Sequence, residues 1–132
     1  MSSDISSNRP PADDLERRRI LLIVDDDPRI CRALSRRLLS SFDTLRTACT
    51  QREAEGWPER ERVSHLICDY DLSKGVPKGT ELALRWRREY PSIERAVLFT
   101  GACPDEAVGT FGIDAVICKT ADFFELMASL GL

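Results

Sequence analysis

Ile20-Leu21-Leu22-Ile23-Val24-Asp25-Asp26-Asp27-Pro28 decides the fold class of this chain. Five apolar residues in a row suit a strand buried on both faces, as in a parallel sheet covered by helices. Three acidic residues end the run. Asp27-Pro28 then reads as an N-cap followed by proline at the first helical position. The stretch is therefore a strand, an acidic turn and the start of a helix, with its carboxylates at the strand's carboxyl end.

The same grammar repeats outward. Ile30, Leu34 and Leu38 recur at four-residue spacing, with Arg29, Arg32, Arg36 and Arg37 on the other faces, which predicts a helix. Thr44 to Ala48 is a weaker strand suited to an edge. A short helix is expected around Gln51 to Trp57, stopped by Pro58. Val63 to Cys68 reads as the third strand. Leu82, Trp86 and Tyr90 mark one face of a helix ended by Pro91. Ala96 to Phe99 and Ala115 to Cys118 complete five strands. Between these two, Pro104 to Phe111 is a poor helix with Gly109 inside it, expected to be the least stable helix and part of an output face. A last helix is expected from about Ala121 to Leu130. Strands alternating with helices, without a hairpin signal, imply a parallel sheet with right-handed crossovers.

Composition narrows the function. The chain has 132 residues, 42% of them hydrophobic and 31% charged, which describes one ordinary globular domain. Nineteen Lys and Arg against 22 Asp and Glu leave a formal charge of -3, without the basic footprint of a direct nucleic-acid binder. The longest apolar run, Ile20 to Val24, is far short of the roughly 20 residues that span a bilayer. Residues 1–19 lack the apolar segment of a signal peptide, so a cytoplasmic location with five reduced cysteines is expected. Met1 to about Asp14 is rich in Ser, Asp and Pro. A flexible tail over residues 1–18 and a folded domain over 19–132 follow.

Ligands in open parallel sheets bind beyond the carboxyl ends of the strands. Asp25, Asp26 and Asp27 follow the first strand, and Asp69, Tyr70 and Asp71 the third. Thr100 follows the fourth and Lys119 the fifth. Carboxylates so close either share protons or recruit a cation, and hard oxygen ligands suit Mg²⁺. A carboxylate is also a nucleophile toward phosphorus, and phosphoryl transfer needs positioning and charge neutralisation above all. Mg²⁺, the Lys119 ammonium and the Thr100 hydroxyl together match the three phosphoryl oxygens.

These motifs resemble the receiver domain of bacterial two-component response regulators. Ile20 to Pro28 is similar to that family's first strand and acidic pair, Ile67-Cys-Asp-Tyr-Asp-Leu72 to its phosphoacceptor strand, Leu98-Phe-Thr-Gly101 to its switch hydroxyl and Ile117-Cys-Lys119 to its lysine. The resemblance covers about residues 19–130. It implies a flavodoxin-like, doubly wound five-stranded parallel sheet in the order 2-1-3-4-5, with helices on both faces. It also implies Asp69 as phosphoacceptor, with Thr100 and Lys119 assisting. Asp26, Asp69 and the carbonyl of Asp71 would hold Mg²⁺, with Asp25 acting mainly through water. The implied donor is a sensor histidine kinase or histidine phosphotransfer protein, docked partly by the first helix, which carries Arg32 and Arg36. The output is binding of a downstream target protein. The domain would not be an enzyme, although it assists its own phosphorylation and dephosphorylation. If the 132 residues are the whole protein, it is a stand-alone receiver.

Three departures from the family pattern carry expectations. Thr120 replaces the proline that usually follows the lysine. A non-proline cis bond costs about 3 kcal/mol, so a trans, slightly displaced loop is predicted. Val116 stands where the family often has Tyr or Phe, which removes an aromatic switch. The loop Ser73 to Gly79 is about two residues longer than the common form. Asp27 is expected to be an N-cap, and Cys68 and Cys118 buried thiols. His65, the only histidine, excludes a histidine metal cluster. Two alternatives remain: a degenerate receiver acting as an unphosphorylated interaction module, and a haloacid-dehalogenase-like phosphatase built on Asp69 and Asp71. The latter lacks an acidic pair after Lys119.

Overall fold

A computed structural model describes residues 18–72, 78–101 and 112–132. The tail over 1–17, most of the loop after Asp71 and the Pro104–Phe111 helix with its output role lie outside the described residues. Five strands form one parallel sheet: β1 (Ile20–Val24), β2 (Thr44–Ala48), β3 (His65–Cys68), β4 (Arg95–Thr100) and β5 (Ala115–Cys118). Their order is β2-β1-β3-β4-β5, the doubly wound 2-1-3-4-5 arrangement. Four α-helices accompany them among the described residues: α1 (Pro28–Leu38), α2 (Gln51–Glu55), α3 (Gly79–Glu89) and α4 (Phe123–Ser129).

Alternation along the strands builds two cores. Ile20, Leu22 and Val24 of β1 pack with Leu66, Cys68, Leu82, Ala83 and Trp86, beneath α2 and α3. Leu21 and Ile23 face the other way, onto Cys31, Leu34 and Leu38 of α1 and Leu126 and Leu130 at the end of the chain. Helices on both faces explain why β1 is apolar throughout: all five of its residues are buried. β2, at the edge, alternates with partly exposed Leu45 and exposed Arg46.

The differences from expectation lie at element ends. β3 starts at His65, because Val63 closes a 3₁₀ turn (Arg60–Arg62) by donating its N–H to Arg60 O. Ser64 still joins β1: its N–H donates to Ile20 O (2.9 Å), and its hydroxyl accepts from Ile20 N (2.8 Å). α2 ends at Glu55, capped by Gly56, and Trp57 is buried beyond it. α4 begins at Phe123, because Asp122 is its N-cap and accepts from Phe124 N (2.9 Å). Gly131, at φ 81°, turns the chain after it, a conformation that costs glycine least. Asp27 caps α1 as expected, accepting from Arg29 N (2.9 Å).

The cysteines depart from the expectation of five thiols. Cys31, Cys49 and Cys68 are free, and Cys68 is buried as expected. Cys118 is instead disulfide-bonded and only partly buried.

Candidate functional site

The chain passes from β1 to β2 on one side and returns to β3 on the other, so the helices after β1 and β3 diverge and leave a crevice at their carboxyl ends. Backbone ladders carry the functional residues one position past the strands. Asp25 N donates to Ala48 O (3.0 Å), Asp69 N to Val24 O (2.8 Å) and Lys119 N to Thr100 O (2.7 Å). Each polar side chain is therefore held by hydrogen bonds continuous with the sheet.

Asp25, Asp69 and Thr100 are buried, whereas Asp26 is exposed at the mouth. Lys119 Nζ lies 2.8 Å from Asp25 Oδ2 and 3.5 Å from Asp69 Oδ2. Asp25 Oδ1 accepts from Asp27 N (2.9 Å). Its Oδ2 is held by the Lys119 ammonium. Asp69 Oδ1 takes a long bond from Asp71 N (3.4 Å). Asp25, Asp26 and Asp69 each offer a ligand oxygen, all within 4.8 Å of one another. The carboxylate of Asp71 points elsewhere. It is exposed and pairs with Lys78 Nζ at 2.8 Å.

The electrostatics follow from burial and crowding. Burial, reinforced by the charge of Asp25, pushes the Asp69 carboxyl up to about 6 against the pull of Lys119. Burial draws Lys119 down, but Asp25 and Asp69 outweigh it and hold the ammonium above its ordinary value, hence charged. Three carboxylates whose oxygens lie within 4.8 Å of one another, against one ammonium, are the donor set of a hard divalent cation. The residues fit Mg²⁺.

The Asp69 shift has a pH signature in the metal-free chain. Its folded-state value lies above 3.8, so the folded chain holds this proton more tightly than the unfolded chain. The stability from this proton is full below 3.8 and is lost as pH rises through about 6. A carboxylate carbon shift followed in chelator should show a midpoint near 6 that disappears in Asp69→Asn; a midpoint at 3.8 would contradict the burial argument.

Other positions bear on the departures noted above. The Lys119–Thr120 bond is trans, as the missing proline implies. Val116 packs partly buried against the α2/α3 core. A cavity of about 640 Å³ opens beside the acidic cluster, lined by Asp26, Cys49, Thr50, Gln51, Arg52, Glu55 and Leu72. Sequence reasoning passed over Gly79. It starts α3 with its N–H on Tyr70 O (2.7 Å), and its Cα is packed against the backbone of Asp69 and Tyr70. The signal was a glycine as the first residue of a helix, where a better helix former would ordinarily stand.

No family model matches the sequence, and no curated protein does. Solved structures do match the fold. The signal receiver domain of an HD domain-containing protein from Pseudomonas fluorescens Pf-5 is 29% identical with a TM-score of 0.71, and the match covers 87% of this chain and 85% of that one. Response regulator protein TrrA from Thermotoga maritima, in complex with Mg²⁺-BeF, is 22% identical with a TM-score of 0.70, over 86% of this chain and 96% of that one. A response regulator protein from Burkholderia pseudomallei, with a phosphorylated aspartic acid, a calcium ion and citrate, is 21% identical with a TM-score of 0.69. That match covers 85% of this chain, which spans 66% of that protein's length. The sheet order and helix placement are shared with these structures, and the quoted motifs fall where the sheet opens. The chain has the fold of a response-regulator receiver domain.

Proposed function

We propose that this chain is a phosphorylation-dependent signalling switch whose phosphoacceptor is Asp69. The observation that carries the reading is Asp69 itself, a buried carboxylate ending a central strand, beside an ammonium and two further carboxylates. With its pKa at about 6, Asp69 is ionised at neutral pH and able to attack. One of its oxygens bonds to phosphorus as the phosphorus–nitrogen bond of a donor phosphohistidine breaks, and the bond's electron pair leaves on the imidazole. Lys119 and the Thr100 hydroxyl orient the phosphoryl oxygens and offset their charge. Asp25, Asp26 and Asp69, with the Asp71 carbonyl, would hold Mg²⁺, which when bound neutralises phosphoryl oxygens.

The donor is a sensor histidine kinase or histidine phosphotransfer protein, and the output is binding of a downstream target protein. The chain works in the cytoplasm as a phosphoacceptor, not as an enzyme acting on a separate substrate. Among the described residues no helix is long and apolar enough to cross a membrane. The phosphatase alternative needs Asp71 as an acid beside Asp69, and the Asp71–Lys78 pairing at the surface counts against it.

Incubation with acetyl phosphate and Mg²⁺ should add one phosphoryl mass to the intact chain. If no mass is added and beryllofluoride does not bind in Mg²⁺, the degenerate-receiver reading replaces this one.

The metal assignment predicts a ranking. Asp26 is exposed at the cavity, whereas Asp25 is buried and ion-paired with Lys119. Asp26→Ala should weaken Mg²⁺ binding by about 100-fold, and Asp25→Ala by about tenfold. Calorimetric titration measures both, and equal losses would contradict the ranking.

A further inference from the structure

Two free thiols lie behind the acidic cluster, and phosphoryl transfer uses neither. Cys31, in the first turns of α1, is buried, and its Sγ donates to the carbonyl of Asp25 (3.4 Å). Cys49 follows β2 directly. β1 and β2 are in register at Val24 and Ala48, and the bond from Asp25 N to Ala48 O carries that register one residue further. Cys49 therefore stands beside Asp25. Ala48 belongs to the α2/α3 core, so strand alternation sends the next side chain to the opposite face, where Cys31 packs. The Cys49 backbone is held there by its N–H on Glu53 Oε1 (2.7 Å).

The thiols also sense each other. Burial first, then the neighbouring Cys49 thiol and the Asp25 carboxylate, push Cys31 up to about 12. Their accessibility differs. Cys49 is partly exposed and lines the cavity of about 640 Å³ that it shares with Asp26, whereas Cys31 is sealed behind it. One thiol faces solutes, and the second stands within reach of the first.

We propose that Cys31 and Cys49 form a thiol-modification site that low-molecular-weight disulfides, such as oxidised glutathione, convert to an intramolecular disulfide. The Cys49 thiolate attacks one sulfur of the small disulfide, forming a mixed disulfide and expelling one thiolate. The sulfur of Cys31 then attacks the Cys49 sulfur and breaks the mixed disulfide. The second small thiolate leaves and takes up the Cys31 proton. Two protein thiols are oxidised and one small disulfide is reduced to two small thiols. The product ties α1 to the loop after β2 across the Asp25 carbonyl. It replaces the Cys31–Asp25 hydrogen bond with a covalent link beside the acidic cluster.

The test uses the full native chain. After treatment with oxidised glutathione, remaining thiols are blocked with an alkylating agent and peptides are mapped by mass. The expected product links the Cys31 and Cys49 peptides with loss of two hydrogens, while Cys68 stays reduced. Cys31→Ser should stop at the Cys49 mixed disulfide. Cys49→Ser should leave Cys31 unmodified. A wild-type chain that accumulates the Cys49 mixed disulfide with Cys31 still reduced would overturn the proposal. So would a chain in which neither thiol reacts, or Cys31 modified in Cys49→Ser. Because the wild-type result decides the matter, a variant that folds poorly does not weaken the test.

Discussion

Asp69→Asn is expected to abolish Mg²⁺-dependent labelling by acetyl phosphate. Asparagine keeps the shape of the side chain and removes the nucleophilic oxygen anion, so the loss is chemical and not a matter of packing. The control lies in stability. Burial and the charge of Asp25 raise the wild-type carboxyl to about 6, so although it is ionised at pH 7, ionising it costs the folded chain stability that the unfolded chain does not lose. Removing that charge should leave Asp69→Asn at least as stable as wild type at pH 7, even without its pairing with Lys119. Far-UV circular dichroism and thermal melting check this, so a lost label cannot be blamed on unfolding. Labelling at a comparable rate in the variant would sink the assignment. Asp71→Asn is the complementary case. Its carboxylate is turned to Lys78 at the surface, so labelling should persist and only the rate of dephosphorylation should change.

How much of this was legible in the chain depends on the range of each interaction. β1 was legible to the residue, because a strand buried on both faces must be apolar throughout and the acidic triplet ends it abruptly. The places of Asp25, Asp69, Thr100 and Lys119 were legible too, since each directly follows an apolar run and parallel topology sends those ends to one edge. Element ends were less so. β3 loses Val63 to a 3₁₀ turn, and α4 loses Ala121 to a side-chain cap; both are local contests that apolar periodicity does not register. The pairing of Asp71 with Lys78 spans a loop whose path the sequence does not encode in any simple pattern. The Cys118 disulfide was missed because the lack of an apolar segment in residues 1–19 pointed to a reducing compartment, and nothing near Cys118 in the sequence marks it as bonded. The closeness of Cys31 and Cys49 became visible only once the β1/β2 register placed both beside Asp25.

Gly79 shows the same limit, and it supports the largest stability effect expected here. A Cβ at this position would collide with the carbonyl oxygen of Asp69 and lie 2.8 Å from Asp69 C and Tyr70 Cα. All three are backbone atoms, which cannot swing aside as a flexible side chain can. The Gly79 N–H bond to Tyr70 O (2.7 Å) fixes the approach from the other side. Relief requires moving either the start of α3 or the segment that carries Asp69. α3 is anchored by buried Leu82, Ala83 and Trp86, with Trp86 Nε1 donating to Glu55 Oε2 (2.9 Å). Gly79→Ala should therefore cost about 3 kcal/mol, at the upper end of ordinary overpacking, although alanine is the better helix former. For a domain this size that lowers the melting temperature by roughly 10 °C. Because the strain falls on the Asp69 backbone, the rate of labelling by acetyl phosphate should drop in the fraction that stays folded. Thr80→Val is the neighbouring control. Its buried hydroxyl has no hydrogen-bond partner, so an apolar isostere there should leave stability unchanged or raise it. If Gly79→Ala melts with wild type while labelling at the wild-type rate, the segment bearing Asp69 yields freely and the close approach has no energetic weight.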